Sequence, residues 1–153
     1  MFDIFRLVLY IIILIIIAVI DFRKGIIPNG IVYPAVIAVI LLNLVSAGTS
    51  SIMTLIGGVS LAGFFLIASL LLKNIGMGDI KLALLIGLMA GFPEGIIAIF
   101  SGIFIGGLVA IVLVLGKIKE RKDTMPYGPF LAAGAMFTLI GHQFLLFGFL
   151  YTL

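Results

Sequence analysis

Two aspartates, Asp21 and Asp79, are the residues of this sequence best placed to do acid–base chemistry. Asp79 stands in Ile75-Gly-Met-Gly-Asp-Ile-Lys-Leu82, between two strongly apolar runs, and Asp21 closes the first apolar run as Asp21-Phe-Arg-Lys. A carboxylate at the edge of a membrane is expensive, so an ionisable residue there is a functional hypothesis by default. Two carboxylates that converge can share a proton, because like charges a few ångströms apart do not both ionise readily. The ionised member can take a proton from water while the protonated member polarises a peptide carbonyl, which is the chemistry of aspartic proteolysis. That chemistry needs no metal, thiol or histidine. A structural reading stands beside it. Asp79 could be the N-cap of a helix, accepting backbone N–H groups at its positive end. Asp21 could pair at the interface with Arg23 or Lys24. A strong capping role would favour the ionised form of Asp79, so the two roles compete unless Asp21 carries the proton.

The other acids are less suggestive. Asp3 and Glu94 fall at span ends on the opposite side, and Glu120 and Asp123 lie in a charged, solvated loop. There is no cysteine and a single histidine. Disulfides, thiolate nucleophiles and Cys-ligated zinc are excluded, and no His/Asp/Glu cluster has ligand spacing, so neither metal nor cofactor is expected. The net charge of +3 gives no sign of nucleic-acid binding.

The elements that must position these residues are read from the solvent the chain implies. Hydrophobic residues make up 64% of the 153 and charged residues 10%, with mean hydropathy +1.47, so the chain has lipid around it. The apolar runs are long and do not alternate, which favours helices over barrel strands. The reading is all-α: six membrane spans, roughly 4–20, 30–45, 52–72, 80–92, 95–116 and 129–151, forming one domain over residues 1–153. A cleaved signal peptide is not expected, since the first run lacks a basic n-region and a small-residue cleavage site. From Asp79 to Phe92 is 14 residues, about 21 Å of helix, against a hydrocarbon core of about 30 Å. Asp79 then lies below the cytoplasmic boundary, or the bilayer thins locally. Gly87-x-x-x-Gly91 and Gly102-x-x-x-Gly106 have the spacing of close helix contacts, within the bundle or in a homodimer.

Six spans alternate the loops between two sides. Arg23, Lys24, Lys73, Lys81, Lys117, Lys119, Arg121 and Lys122 gather on one side, and Arg6 alone lies on the other. The positive-inside rule places the basic loops in the cytoplasm and both termini outside, in the cell membrane. Asp21 and Asp79 then share the cytoplasmic face.

Three segments carry a resemblance. "GMGDIKL" resembles the Gly-x-Gly-Asp-x-Lys motif of the type IV prepilin peptidases, "DFRKGIIPN" resembles that family's first catalytic segment, and "MPYGPFLAAGA" resembles the segment that opens its last helix. The resemblance covers essentially the whole chain. It implies a membrane aspartic endopeptidase with Asp21 and Asp79 as the catalytic pair and Gly76, Gly78 and Lys81 supporting them. Lys81 would lie near lipid headgroups or substrate, although it could equally be a snorkelling lysine. The implied substrates are prepilin and pseudopilin precursors, cut at the cytoplasmic membrane face after a Gly and before a Phe or Met. Many members carry an N-terminal region with two Cys-x-x-Cys pairs and methylate the new N-terminus. This sequence resembles the short, peptidase-only form, and methyl transfer is not expected.

Other residues have plainer readings. His142, inside the last span, is expected to hydrogen-bond a neighbouring helix. Asn29 is expected to cap the second helix after Pro28, close enough to Asp21 to orient substrate. Pro126 and Pro129 set the entry of the last helix, and the basic loop 117–122 suits anionic lipid. Two rival functions remain. A small proton- or cation-coupled transporter would need polar residues across the bilayer, and a non-catalytic scaffold would tolerate Asp21→Asn and Asp79→Asn. A protease of the presenilin kind would hold its acids deeper and on late helices.

Overall fold

The computed structural model describes residues 4–45, 49–72, 75–116 and 126–151. Among them the chain forms six helices: α1 (Ile4–Lys24), α2 (Asn29–Val45), α3 (Thr49–Leu72), α4 (Met77–Ala90), α5 (Glu94–Leu115) and α6 (Gly128–Tyr151). The expected loop residues Lys73, Lys117, Lys119, Glu120, Arg121, Lys122 and Asp123, with Asp3, lie outside the described residues.

Local chemistry sets the ends. α1 runs one turn further than its apolar stretch, so Asp21 is helical and Arg23 and Lys24 occupy the last turn, where cations suit the carbonyl end. Gly25, at φ +63°, then stops the helix and donates its N–H to the Asp21 carbonyl at 2.7 Å. α2 begins with the Pro28 carbonyl accepting from the N–H groups of Ile31 and Val32, both at 3.1 Å.

Among the described residues three helices are long and apolar enough to cross a bilayer: α1, residues 51–71 of α3, and α5; α2 is apolar but shorter. The protein is a membrane protein, and its outer helices turn Ile12, Ile37, Ile67, Phe104 and Phe137 outward. The fourth helix differs. α4 packs against α2, α3, α5 and α6, and its residues Leu82, Ala83, Leu85, Ile86, Leu88 and Met89 are all buried. A helix that is apolar all round and short belongs in the middle of the bundle. Its 14 residues therefore need not match the bilayer, because protein encloses it.

Glycines let the helices close on α4 and α6. A Cβ on Gly87 would strike the Gly57 backbone of α3, and one on Gly102 would meet Leu131 Cα of α6 at 2.8 Å. Both small-residue motifs thus have a contact within the bundle.

At the end of the bundle that holds the α1 N-terminus, polar side chains tie helices to carbonyls. Arg6 donates to the Leu42 carbonyl at 2.6 Å, Ser51 to the Asn43 carbonyl at 2.6 Å, and Asn43 Nδ2 to the Leu88 carbonyl at 2.9 Å. Tyr10 reaches Asn43 Oδ1 at 3.5 Å. His142 Nε2 lies 3.6 Å from Glu94 Oε1, so the membrane histidine meets a neighbouring helix.

Candidate active site

Asp21 and Asp79 come from helices that lie far apart in sequence, and α6 is the element between them. α1 packs along α6, and α6 also touches α4. Asp21, in the last turn of α1, is 4% exposed. Its Oδ2 accepts the backbone N–H of Gly128 at 3.0 Å. Gly128 is the first residue of α6, so this N–H is one of the donors that a helix start leaves unpaired, and the carboxyl group lies at the positive end of the helix. A side chain at position 128 would displace Asp21 or the helix start: a Cβ there would lie 2.5 Å from Asp21 Oδ2. Arg23 and Lys24 are exposed, and the interfacial pairing considered for Asp21 is replaced by this backbone contact across the bundle.

Asp79 occupies the first turn of α4. The N-cap is Gly76, with extended backbone, and Asp79 is three residues beyond it. Its Oδ2 accepts the Gly76 N–H at 3.2 Å, the reach-back half of a capping box. The N-cap reading of Asp79 is therefore corrected by three positions, and the carboxylate receives one donor at the helix start. Asp21 lies within electrostatic reach of Asp79. The two carboxylates share one face of the bundle.

The supporting residues fall around this pair. A Cβ on Gly78 would approach Ile27 Cβ to 3.0 Å, so a bare backbone at 78 lets the α1–α2 turn close over α4. Gly76 has neither crowding nor unusual backbone, so nothing local requires a glycine there. Lys81 donates to Asn29 Oδ1 at 2.8 Å and holds its ammonium 5.1 Å from the centre of the Tyr33 ring. Asn29 is thus not the cap of α2: it is the first helical residue, and its side chain binds the lysine. Lys81 points towards α2 rather than alongside Asp79, as expected for helix positions two apart.

A cavity of about 350 Å³ opens beside Asp79. Phe65, Ala68, Ile75 and Leu131 line it, with Tyr127, the residue before Gly128. Sequence reasoning did not single out Tyr127, Gly128 or this cavity. Gly128 lies in the recognised "MPYGPF" segment, but its spacing gives no hint that its N–H meets Asp21. Among the described residues no group of three or more His, Asp or Glu forms a metal donor set.

The chain belongs to the type IV leader peptidase family, whose model matches residues 8–111, a range that includes both aspartates and stops short of α6. It is 32% identical over 137 residues to the prepilin leader peptidase/N-methyltransferase of Bacillus subtilis strain 168, covering 88% of this chain and 54% of that protein. The proteins of the same description from Burkholderia pseudomallei strains 1026b and K96243 are each 27% identical over 128 residues, 78% of this chain and 41% of theirs. The chain spans about half the length, or less, of these curated relatives. No solved structure matches it.

Proposed function

We propose that this chain is a membrane aspartic endopeptidase that removes the N-terminal leader of type IV prepilin- or pseudopilin-like precursors, with Asp21 and Asp79 as its catalytic pair. The observation that carries the reading is that these two carboxylates lie within electrostatic reach of each other, one accepting from Gly128 and the other from Gly76, with an apolar cavity beside Asp79. The pair holds one proton between two groups. The ionised carboxylate takes a proton from the attacking water as its oxygen joins the peptide carbon. The protonated one gives its proton to the carbonyl oxygen. Collapse of the tetrahedral intermediate breaks the C–N bond and returns a proton to the leaving amine. Gly76 supplies the N–H that orients Asp79, Gly78 allows the α1–α2 turn to close, and Asn29 and Lys81 pin that turn to α4 near headgroups and substrate.

The chain then crosses the membrane six times, with the basic loops and the active site on the cytoplasmic face and the termini outside. A proton or cation path is disfavoured, because Leu82, Leu85, Ile86 and Met89 fill the core along α4 between Asp79 and the Asn43 contact. Purified protein in liposomes with a pilin-like precursor tests the reading on a gel. Leader removal by the native chain, abolished by Asp21→Asn and by Asp79→Asn with folding intact, is expected. Cleavage that survives either change removes that residue from the mechanism.

A further inference from the structure

Four hydroxyls of this bundle are spent inside their own helices. Ser60 donates to Gly57, Thr54 to Ser51, Ser101 to Ala98 and Thr138 to Gly134, each to a carbonyl three or four residues back, at 2.8 to 3.1 Å. That is the ordinary local contact of a helical serine or threonine. Ser69 of α3 instead donates forward, to the carbonyl of Ile75 at 3.0 Å. Ile75 lies beyond the end of α3 and immediately before Gly76, the N-cap of α4. The ladder of α4 opens one carbonyl later, where Gly76 accepts from the Asp79 N–H at 3.1 Å. The Ile75 carbonyl is therefore outside that ladder, and a side chain from another helix takes it.

The contact gains its meaning from what shares that peptide unit. The Ile75 carbonyl and the Gly76 N–H belong to one planar group. The Gly76 N–H is the donor that reaches Asp79 Oδ2 at 3.2 Å. One peptide plane thus joins the Ser69 hydroxyl on one side to the Asp79 carboxylate on the other. Fixing the oxygen fixes the direction of the N–H, and a bond accepted at the oxygen strengthens the donor by about 10–30%. Gly76 is exposed, so water competes for its N–H, whereas Ser69 and Ile75 are half-buried and their bond is the sheltered one. Asp21 is held by the same arrangement, made differently. The Gly128 N–H shares its plane with the Tyr127 carbonyl, which accepts from the N–H groups of Phe130 and Leu131, both at 3.1 Å. There the helix backbone supplies the fixing donors. At Asp79 one side chain supplies it.

We propose that Ser69 is a positioning residue for Asp79: its hydroxyl aligns the Ile75–Gly76 peptide so that the Gly76 N–H fixes the carboxylate beside the cavity. The proposal rests on the peptidase reading for its kinetic consequence alone. Ser69 touches neither carboxylate nor substrate in this account and acts through the backbone of its neighbour.

Ser69→Ala, Ser69→Cys and Ser69→Thr test this in the full chain, in liposomes with a pilin-like precursor. Ser69→Ala is expected to lower kcat about fivefold, the factor that goes with one neutral hydrogen bond, while KM stays within about twofold of native. Ser69→Thr keeps the hydroxyl and is expected to bring kcat back to within about twofold of native, and Ser69→Cys, a weaker donor of similar size, falls between. If the alanine chain does not fold, cysteine against threonine carries the same comparison. A native kcat in Ser69→Ala with a lowered melting temperature marks a plain tether between α3 and α4 and overturns the proposal. A threonine chain as slow as the alanine one overturns it too. A second measurement needs no activity. The amide proton of Gly76, identified by its loss in Gly76→Ala, is followed by NMR in detergent micelles. It is expected to move upfield in Ser69→Ala, as its bond to Asp79 weakens, and to stay in place in Ser69→Thr; an unmoved resonance in Ser69→Ala overturns the proposal. A native chain that cleaves no precursor removes the peptidase reading, and the Gly76 resonance then decides the positioning by itself.

Discussion

The two ends of the bundle handle polar groups in opposite ways. At the end near Arg6, long polar side chains reach across helices to backbone carbonyls: Arg6 to Leu42, Ser51 to Asn43, and Asn43 to Leu88. Each contact joins a donor to an acceptor and leaves the helices fixed. At the aspartate end the polarity is reversed. Backbone N–H groups reach to side chains, Gly128 to Asp21 and Gly76 to Asp79, and each carboxylate engages a donor through Oδ2. A carboxylate can accept several hydrogen bonds, so an oxygen remains for a proton, a water or a substrate. One end is closed by donors, the Arg6 guanidinium, the Asn43 amide and the Ser51 hydroxyl, each spent on a backbone carbonyl. The other is built from two acids, one of which lines a cavity. The difference separates a structural clamp from a site able to do chemistry, although both consist of polar groups in an apolar bundle.

Substitutions can break this contrast at either end. The largest effect is expected from Asp79→Asn or Asp21→Asn. Each keeps the side-chain shape but removes acid–base capacity, which is worth about 10²–10⁴ in rate. Leader cleavage should fall at least 100-fold, with an unchanged melting temperature in detergent. Next is Gly128→Ala. Its Cβ would lie 2.5 Å from Asp21 Oδ2, so the carboxylate or the start of α6 must move. A loss of about tenfold in kcat is expected, since small misplacements of reacting groups are costly. The predicted signature is a fall in kcat larger than any rise in KM.

The clamp end should respond in the other currency. Asn43→Ala removes the donor to the Leu88 carbonyl and an acceptor for Tyr10. It should cost about 1 kcal/mol of stability, within the range for such bonds in membrane bundles. Thermal or denaturant unfolding in detergent would measure it, while kcat at a permissive temperature stays within about twofold of native. The smallest effect is expected from Asn29→Ala, which frees Lys81 from its 2.8 Å contact and loosens the α1–α2 turn over α4. Cleavage kinetics should show a rise in KM of a few-fold. If Asn43→Ala abolished cleavage and Asp21→Asn merely lowered stability, the division between clamp and site would be reversed.

Much of this was legible in the sequence. Asp21 and Asp79 stood out because acids are scarce and apolar residues abundant, and the cost of charge near lipid makes such exceptions informative. The six helices followed from long apolar runs broken by Gly, Pro and charge, with ends displaced by a few residues. Capping was misread at Asn29, and the N-cap alternative for Asp79 fell three residues off, because Asp and Asn within the first turn accept or donate in more than one way, and a one-dimensional pattern does not say which. Asn43 and Tyr10 were overlooked, since single polar residues inside apolar runs carry no periodic signal.

Composition and helix-stop residues determined by themselves that the chain lives in lipid, that it is helical, and which two carboxylates could act together, because solvent preference and backbone chemistry are local properties. Only the tertiary structure decided that α4 is enclosed, that the start of α6 presents Gly128 to Asp21, and that a cavity opens beside Asp79. Those are matters of which helix lies beside which. Lipid-facing and protein-facing surfaces are equally apolar, so hydropathy does not distinguish neighbours, and the close fit of glycine backbones such as Gly57 with Gly87 chooses among them.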